Sequence, residues 1–234
     1  MRILYAASEA APFAKSGGLA DVAGALPKAL VRDGIDCRVV LPLYNDLKFK
    51  DTLTYVTNFS VPVGWRSQYC GLFKAERDGV TFYFIDNEYY FKRSGLYGFY
   101  DDGERFAFFS RAILEMLFYT DFEPDIINCN DWQTALTPVY LNLYYRHLDK
   151  FNRIKTVFTI HNIAYQGKYG LDILEDTCGI GNRDAHVVEY DGCANFMKGA
   201  IETADKVTTV SPTYAQEILD PWFSHGLDGL LRQK

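Results

Sequence analysis

The first 34 residues read MRILYAASEAAPFAKSGGLADVAGALPKALVRDG (Met1–Gly34), and their pattern decides the fold. Ile3 to Ala7 is a short apolar run with no alternation, the mark of a strand buried on both faces. Leu19, Val22, Ala23, Leu26 and Leu30 then recur at helical spacing and stop near Gly34. Pro27 falls inside that helix and predicts a kink rather than an end. The same rhythm repeats outward along the chain. Further strands are expected at Cys37–Leu41, Asp125–Cys129, Ile154–Ile160 and Lys206–Val210. Their helices are expected at roughly Gly103–Tyr119, Trp132–His147, Asn195–Ala204 and Pro212–Leu219, the last opened by a Ser211-Pro212 cap. Alternating strand and helix predicts an α/β fold: a Rossmann-like parallel sheet with helices on both faces. One stretch breaks the rhythm. Leu53 to Ile85 is rich in Val, Thr, Tyr and Phe, with Asp78-Gly79 between two alternating runs. That dipeptide is a type I′ hairpin signal, so a β-rich excursion on the sheet's edge is expected.

Composition narrows the function classes. The chain has 234 residues, 48% hydrophobic and 23% charged, which excludes disorder, collagen and coiled coil. The formal net charge of −6 lacks the basic footprint of a general nucleic-acid binder. The five cysteines are odd in number and form no C-x-x-C pair, which argues against a disulfide framework and a zinc knuckle. The apolar start is cut short by Glu9, and no charge-free run reaches about 18 residues, so neither a signal core nor a membrane span is expected. A reducing cytoplasm is the expected compartment. The 17 Phe, 17 Tyr and 3 Trp predict an aromatic core, or else a surface on which rings stack.

Ligands of open parallel sheets bind beyond the carboxyl ends of the strands. After the first strand come Glu9, Lys15, Ser16, Gly17 and Gly18. After Asp125–Cys129 come Asn130, Asp131, Trp132 and Gln133, and after Ile154–Ile160 come His161, Asn162, Tyr165, Gln166 and Gly167. Any one of these could simply cap a helix; together they predict a site. Lys15-Ser16-Gly17-Gly18 suits a phosphate or diphosphate, because the glycines allow close approach and the helix start offers free N–H groups and a positive dipole end. It is neither a P-loop nor a dinucleotide fingerprint. His161 is either a satisfied half-buried histidine or a hydrogen-bonding, proton-handling group. Asp131 is either a helix cap or a site residue. Asp101, Asp102 and Glu104 precede a helix and are read as complements to its dipole rather than as metal ligands. His147, His186 and His225 show no ligand spacing.

The residues then match a known family. Ile3–Leu30, VVLPLY (Val39–Tyr44), LYG (Leu96–Gly98), NDWQTAL (Asn130–Leu136), TIHNIAYQG (Thr159–Gly167), VSPTYAQEI (Val210–Ile218) and GLDGLL (Gly226–Leu231) resemble, end to end and in order, the N-terminal lobe of bacterial glycogen synthases and plant starch synthases. The resemblance implies a retaining glucosyltransferase that moves glucose from a nucleotide-sugar donor, ADP-glucose in bacterial and plant members, to the non-reducing end of an α-1,4-glucan. It implies a GT-B architecture of two Rossmann-like lobes with the active site between them. Residues 1–234 would be the acceptor-side lobe, with an absent donor-binding lobe as its partner, and inactive alone. The resemblance implies that Lys15, Gly17 and Gly18 meet the donor phosphates. Asp21, Tyr97, Asp131 and His161 would line the crevice around the transferred glucose, with Asn162, Tyr165 and Gln166 beside them. His161 and Asp131 are the implied catalytic pair. It implies no metal and no cofactor, a front-face displacement, and neither nucleic acid nor membrane as a partner. The chain departs from the usual His-Asp-Trp by carrying Asn130-Asp131-Trp132. Two other classes stay open: a non-catalytic module binding glucan or nucleotide sugar, and a dinucleotide-dependent oxidoreductase, which the missing glycine fingerprint disfavours.

Overall fold

The computed structural model describes residues 1–234. One eight-stranded sheet organises it. Its strands are β1 (Arg2–Ala6), β2 (Asp36–Pro42), β3 (Thr54–Val63), β4 (Arg66–Arg77), β5 (Val80–Asp86), β6 (Ile126–Asn130), β7 (Lys155–Ile160) and, last in the chain, β11 (Lys206–Thr209). Their order across the sheet is β11-β7-β6-β1-β2-β5-β4-β3. The six strands from β11 to β5 run parallel, and β4 and β3 add antiparallel to that edge. Successive residues Leu4, Tyr5 and Ala6 are all buried, so both faces of the central strand are covered.

The expected excursion is thus β3, β4 and β5, but β5 is more than an appendage. It pairs in parallel with β2 and belongs to the main sheet. Asp78 and Gly79 both take positive φ, as the two-residue turn between β4 and β5 requires. A second sheet, too short to show any period in the sequence, joins β8 (Lys168–Tyr169), β9 (Glu189–Tyr190) and β10 (Cys193–Asn195).

The helices are α1 (Gly18–Arg32), α2 (Glu88–Phe91), α3 (Asp102–Glu115), α4 (Leu136–Tyr140), α5 (Asp172–Asp176), α6 (Phe196–Thr203), α7 (Pro212–Glu217) and α8 (Asp228–Leu231). α1 runs unbroken through Pro27. The single helix expected over 132–147 is instead a 3₁₀ turn at Trp132–Thr134, then α4, then a π turn at Leu141–Tyr145. Pro138 has no N–H to give, and the Thr137 hydroxyl donates outward to the Ser110 carbonyl at 3.1 Å rather than supporting its own helix. One contiguous core of 67 buried residues runs from Ile3 to Leu231. No helix is long and apolar enough to cross a membrane.

The connection order sets the site. From β1 the chain lays β2 beside it, crosses to β3 at the far edge and steps back inward through β4 to β5, then returns past β1 to place β6, β7 and β11 on the other side. The reversal falls between β1 and β6, and a crevice opens there beyond the strand ends.

Candidate active site

A cleft of ≈ 890 Å³ lies at that reversal. Glu9 follows β1, Asp131 follows β6, and His161 and Asn162 follow β7; Gly17, Gly18, Tyr97, Asp102 and Tyr165 complete the walls. The strands supply rigidity. The Tyr44 hydroxyl donates to the Ser8 carbonyl at 2.8 Å, and the Ser8 and Tyr97 hydroxyls bond at 2.7 Å, fixing the turn after β1 against the loop that carries Tyr97.

Asp131 does not cap the helix that follows it. Its side chain makes no capping bond, and its backbone takes φ 57° and ψ 179°, a region that non-glycine residues rarely adopt. That turn swings the carboxylate toward the end of β7. There Oδ1 accepts the N–H of His161 at 2.7 Å and of Asn162 at 3.2 Å, while Oδ2 has no partner within the chain. Burial pushes the Asp131 carboxyl up to about 7; the two N–H donors pull it down, and the nearby Glu9 charge adds to the rise.

His161 is held from two sides. Its backbone N–H is the one bonded to Asp131, and its ring Nε2 lies 2.9 Å from Asn130 Oδ1. The ring is therefore satisfied by a side-chain amide, not by a backbone group. Burial lowers its pKa to about 4, so it is neutral at physiological pH. A neutral imidazole here keeps one ring N–H and one lone pair, so it can give one hydrogen bond and take another, and it gains no second proton between pH 6 and 8.

The start of α1 forms the opposite wall. Gly17 occupies the N-cap with no side-chain cap, so the first N–H groups of this 15-residue helix have no capping partner. The preceding loop is tied down by Glu9, whose buried carboxylate accepts the Ser16 N–H. Lys15 lies outside the cleft. Its Nζ pairs with Asp21 Oδ1 at 2.6 Å, and both side chains are more than half exposed.

The cleft thus gathers Gly17, Gly18, Tyr97, Asp131, His161, Asn162 and Tyr165. Three expected residues stand elsewhere. Lys15 and Asp21 face each other beyond the rim, and Asp21 lines a separate hollow with Lys28 and Arg32. Gln166 is buried as a staple: its amide donates to the carbonyls of Ile163 and His225, each at 3.1 Å, and it accepts from Asn195 at 2.7 Å. Of the acidic trio, Asp101 stands at the N-cap of α3 and Asp102 and Glu104 in its first turn, as the dipole reading expects, and all three also hold partners. Asp101 pairs with Arg93 and Glu104 accepts from Tyr90 at 2.6 Å. Asp102 turns back to accept the N–H of Gly98 at 2.8 Å and of Phe99 at 3.2 Å, bracing the loop that presents Tyr97. The dipole reading missed that role, and an acid four residues beyond a glycine was the available signal. Glu9, expected beyond the end of the first strand, does line the cleft. No group of three or more His, Cys, Asp or Glu is arranged to hold a metal ion.

The chain as a whole is similar to known proteins. The family described as the starch synthase catalytic domain matches residues 2–233. A glycogen synthase from Clostridium acetobutylicum is 57% identical over the whole chain, which covers 50% of it. One from Geobacillus thermodenitrificans is 54% identical, with 49% of its length covered. The catalytic domain of starch synthase IV from Arabidopsis thaliana, solved bound to ADP and acarbose, superposes with a TM-score of 0.89 at 34% identity. The superposition covers 99% of this chain and 49% of that one. The chain spans about half the length of the curated relatives it matches. With the family matched over residues 2–233, this chain belongs to the starch synthase catalytic domain family, and its GT-B-type α/β sheet is one lobe's worth of that fold.

Proposed function

We propose that residues 1–234 are the acceptor-side lobe of a glycogen or starch synthase that transfers glucose from ADP-glucose to the non-reducing end of an α-1,4-glucan with retention. The observation that carries this reading is the convergence of an uncapped helix start with a braced, neutral His161 and a free Asp131 oxygen in one cleft at the sheet's reversal. That set fits a sugar bearing an anionic leaving group. The free N–H groups at the start of α1 receive diphosphate oxygens, whose charge grows as the glycosidic bond breaks. Lys15 would have to leave Asp21 to add its charge, which an exposed pair permits at little cost. His161 and Asp131 Oδ2 orient sugar hydroxyls. In a front-face displacement the acceptor hydroxyl bonds to the anomeric carbon as the diphosphate departs, and the hydroxyl proton passes to a leaving phosphate oxygen. A donor-binding lobe would close the far side. No cofactor enters this scheme, since the nucleotide sugar is a substrate. A cytoplasmic setting fits five free cysteines, four of them buried.

The test is glucosyl transfer by the full-length protein to glycogen, with ADP-glucose and UDP-glucose compared and the product's anomeric configuration read by NMR. New α-1,4 linkages made preferentially from ADP-glucose are expected. Binding of glucan or donor without turnover would replace this reading with that of a binding module.

A further inference from the structure

Behind His161 sits an amide whose orientation is fixed by its own surroundings. Asn130 ends β6 and is fully buried. Its Nδ2 lies 2.9 Å from the backbone carbonyl of Ala6, a group that can only accept. The amide nitrogen must therefore face Ala6, and a second bond to Asn128 Oδ1 at 2.8 Å agrees with it. Oδ1 then points the other way and can only accept. Two groups meet it: the Tyr5 hydroxyl at 2.9 Å and His161 Nε2 at 2.9 Å. Both must donate. The Tyr5 hydroxyl can donate without restriction, but a neutral imidazole has one proton, and this contact demands it on Nε2.

We infer that Asn130 is a positioning residue that holds His161 as the Nε2–H tautomer, so that Nδ1 presents a lone pair to a substrate hydroxyl. The chain of constraint runs from the Ala6 carbonyl through the Asn130 amide to the imidazole. Nδ1 makes no hydrogen bond within the chain, and His161 lines the cleft. A lone pair there suits a sugar hydroxyl, which has a proton to give, and does not suit a phosphate oxygen, which has none. The cleft would thereby separate its ligand chemistries: donors at the start of α1 for the diphosphate, an acceptor at His161 for the sugar. An imidazole at position 130 could present either a donor or an acceptor to His161; an amide locked onto Ala6 cannot. The hydroxyl-binding half of this inference rests on the glucosyltransferase reading, whereas the tautomer does not.

The tautomer is measurable directly. The full-length protein, with histidine selectively 15N-labelled, is examined by long-range 1H–15N correlation at neutral pH, and His161→Gln assigns the signals. A protonated Nε2 and an unprotonated Nδ1 are expected. Adding maltotriose or ADP-glucose should shift Nδ1 and leave Nε2 nearly still. Asn130→Leu removes the acceptor; the Nδ1–H form should then appear, with glucosyl transfer falling roughly tenfold. If that variant does not fold, the wild-type spectrum still decides. A proton on Nδ1, or an averaged ring, overturns the inference. An Nε2–H ring whose Nδ1 ignores both sugars overturns its ligand-facing half. An Nε2–H ring in a protein that transfers no glucose upholds the tautomer and counts against the functional reading alone.

Discussion

Asp131 and His161 bind protons in opposite senses across one pH window. The Asp131 carboxyl, raised to about 7 from 3.8, keeps its proton in the folded chain where the unfolded chain has lost it. Its contribution to stability therefore falls as pH rises from about 4 to about 7, at roughly 1.4 kcal/mol per pH unit. His161, lowered from 6.5 to about 4, is neutral when folded and charged when unfolded in between. Its contribution rises with pH over about 4 to 6.5 at the same slope. The two nearly cancel in the wild type. Asp131→Asn should uncover a stability that climbs with pH from about 4.5 to 6.5, and His161→Gln one that declines. Urea unfolding at three pH values checks this; three parallel profiles would contradict it. Lys15 belongs to the same scale. In the full-length protein, Lys15→Gln should lower donor-side kcat/KM by tenfold or more and spare acceptor KM, because only the diphosphate gains charge in the transition state. Lys15→Arg should rescue partly. Unchanged donor kinetics in Lys15→Gln would remove Lys15 from the site.

α1 is the element whose start forms one wall of the cleft, and its seat is a close backbone contact. A Cβ added at Gly24 would meet the Ala11 carbonyl oxygen at 2.7 Å and the Ala11 Cβ at 3.1 Å. The loop from Glu9 to Ser16 lies there, so α1 and the loop cannot separate without disturbing the cleft. Gly24→Ala should cost about 1–3 kcal/mol despite alanine's better helix propensity. A thermal melt no lower than the wild type's would show that the contact yields. α7 offers a milder case. Ser211 Oγ accepts the Tyr214 N–H at 3.1 Å, and the Tyr214 hydroxyl in turn accepts the Ile163 N–H at 3.1 Å beside the site. Ser211→Ala should cost about 1 kcal/mol, read in the same melts. Short elements are also where the sequence was hardest to read. Asp191-Gly192 has the same positive φ values as Asp78-Gly79 and joins β9 to β10. Strands of two and three residues gave it no flanking alternation to reveal it.

For the molecule as a whole, the parallel sheet was legible because unbroken apolar runs alternate with helical spacing, and a buried sheet with crossover helices follows from that. The cleft's location was legible too, since Asp131 and His161 stand at strand ends that the topology must bring together. What local pattern could not convey is direction. Asp131 turns onto β7 only because its own backbone takes a rare conformation, Lys15 turns out to Asp21, and Gln166 turns into the interior. Each depends on at least one partner 6 to 59 positions away. The continuous core from Ile3 to Leu231 predicts that the 234-residue chain folds alone, and without a donor-binding lobe it should not transfer glucose. The most direct measurement is steady-state transfer of radiolabelled glucose from ADP-glucose to glycogen by the full-length protein and its Asp131→Asn variant. The expected result is turnover in the wild type and at least a tenfold loss in a variant that melts no lower at pH 8. No transfer by the wild type, or equal turnover in the two, would contradict the assignment of this cleft to glucosyl transfer.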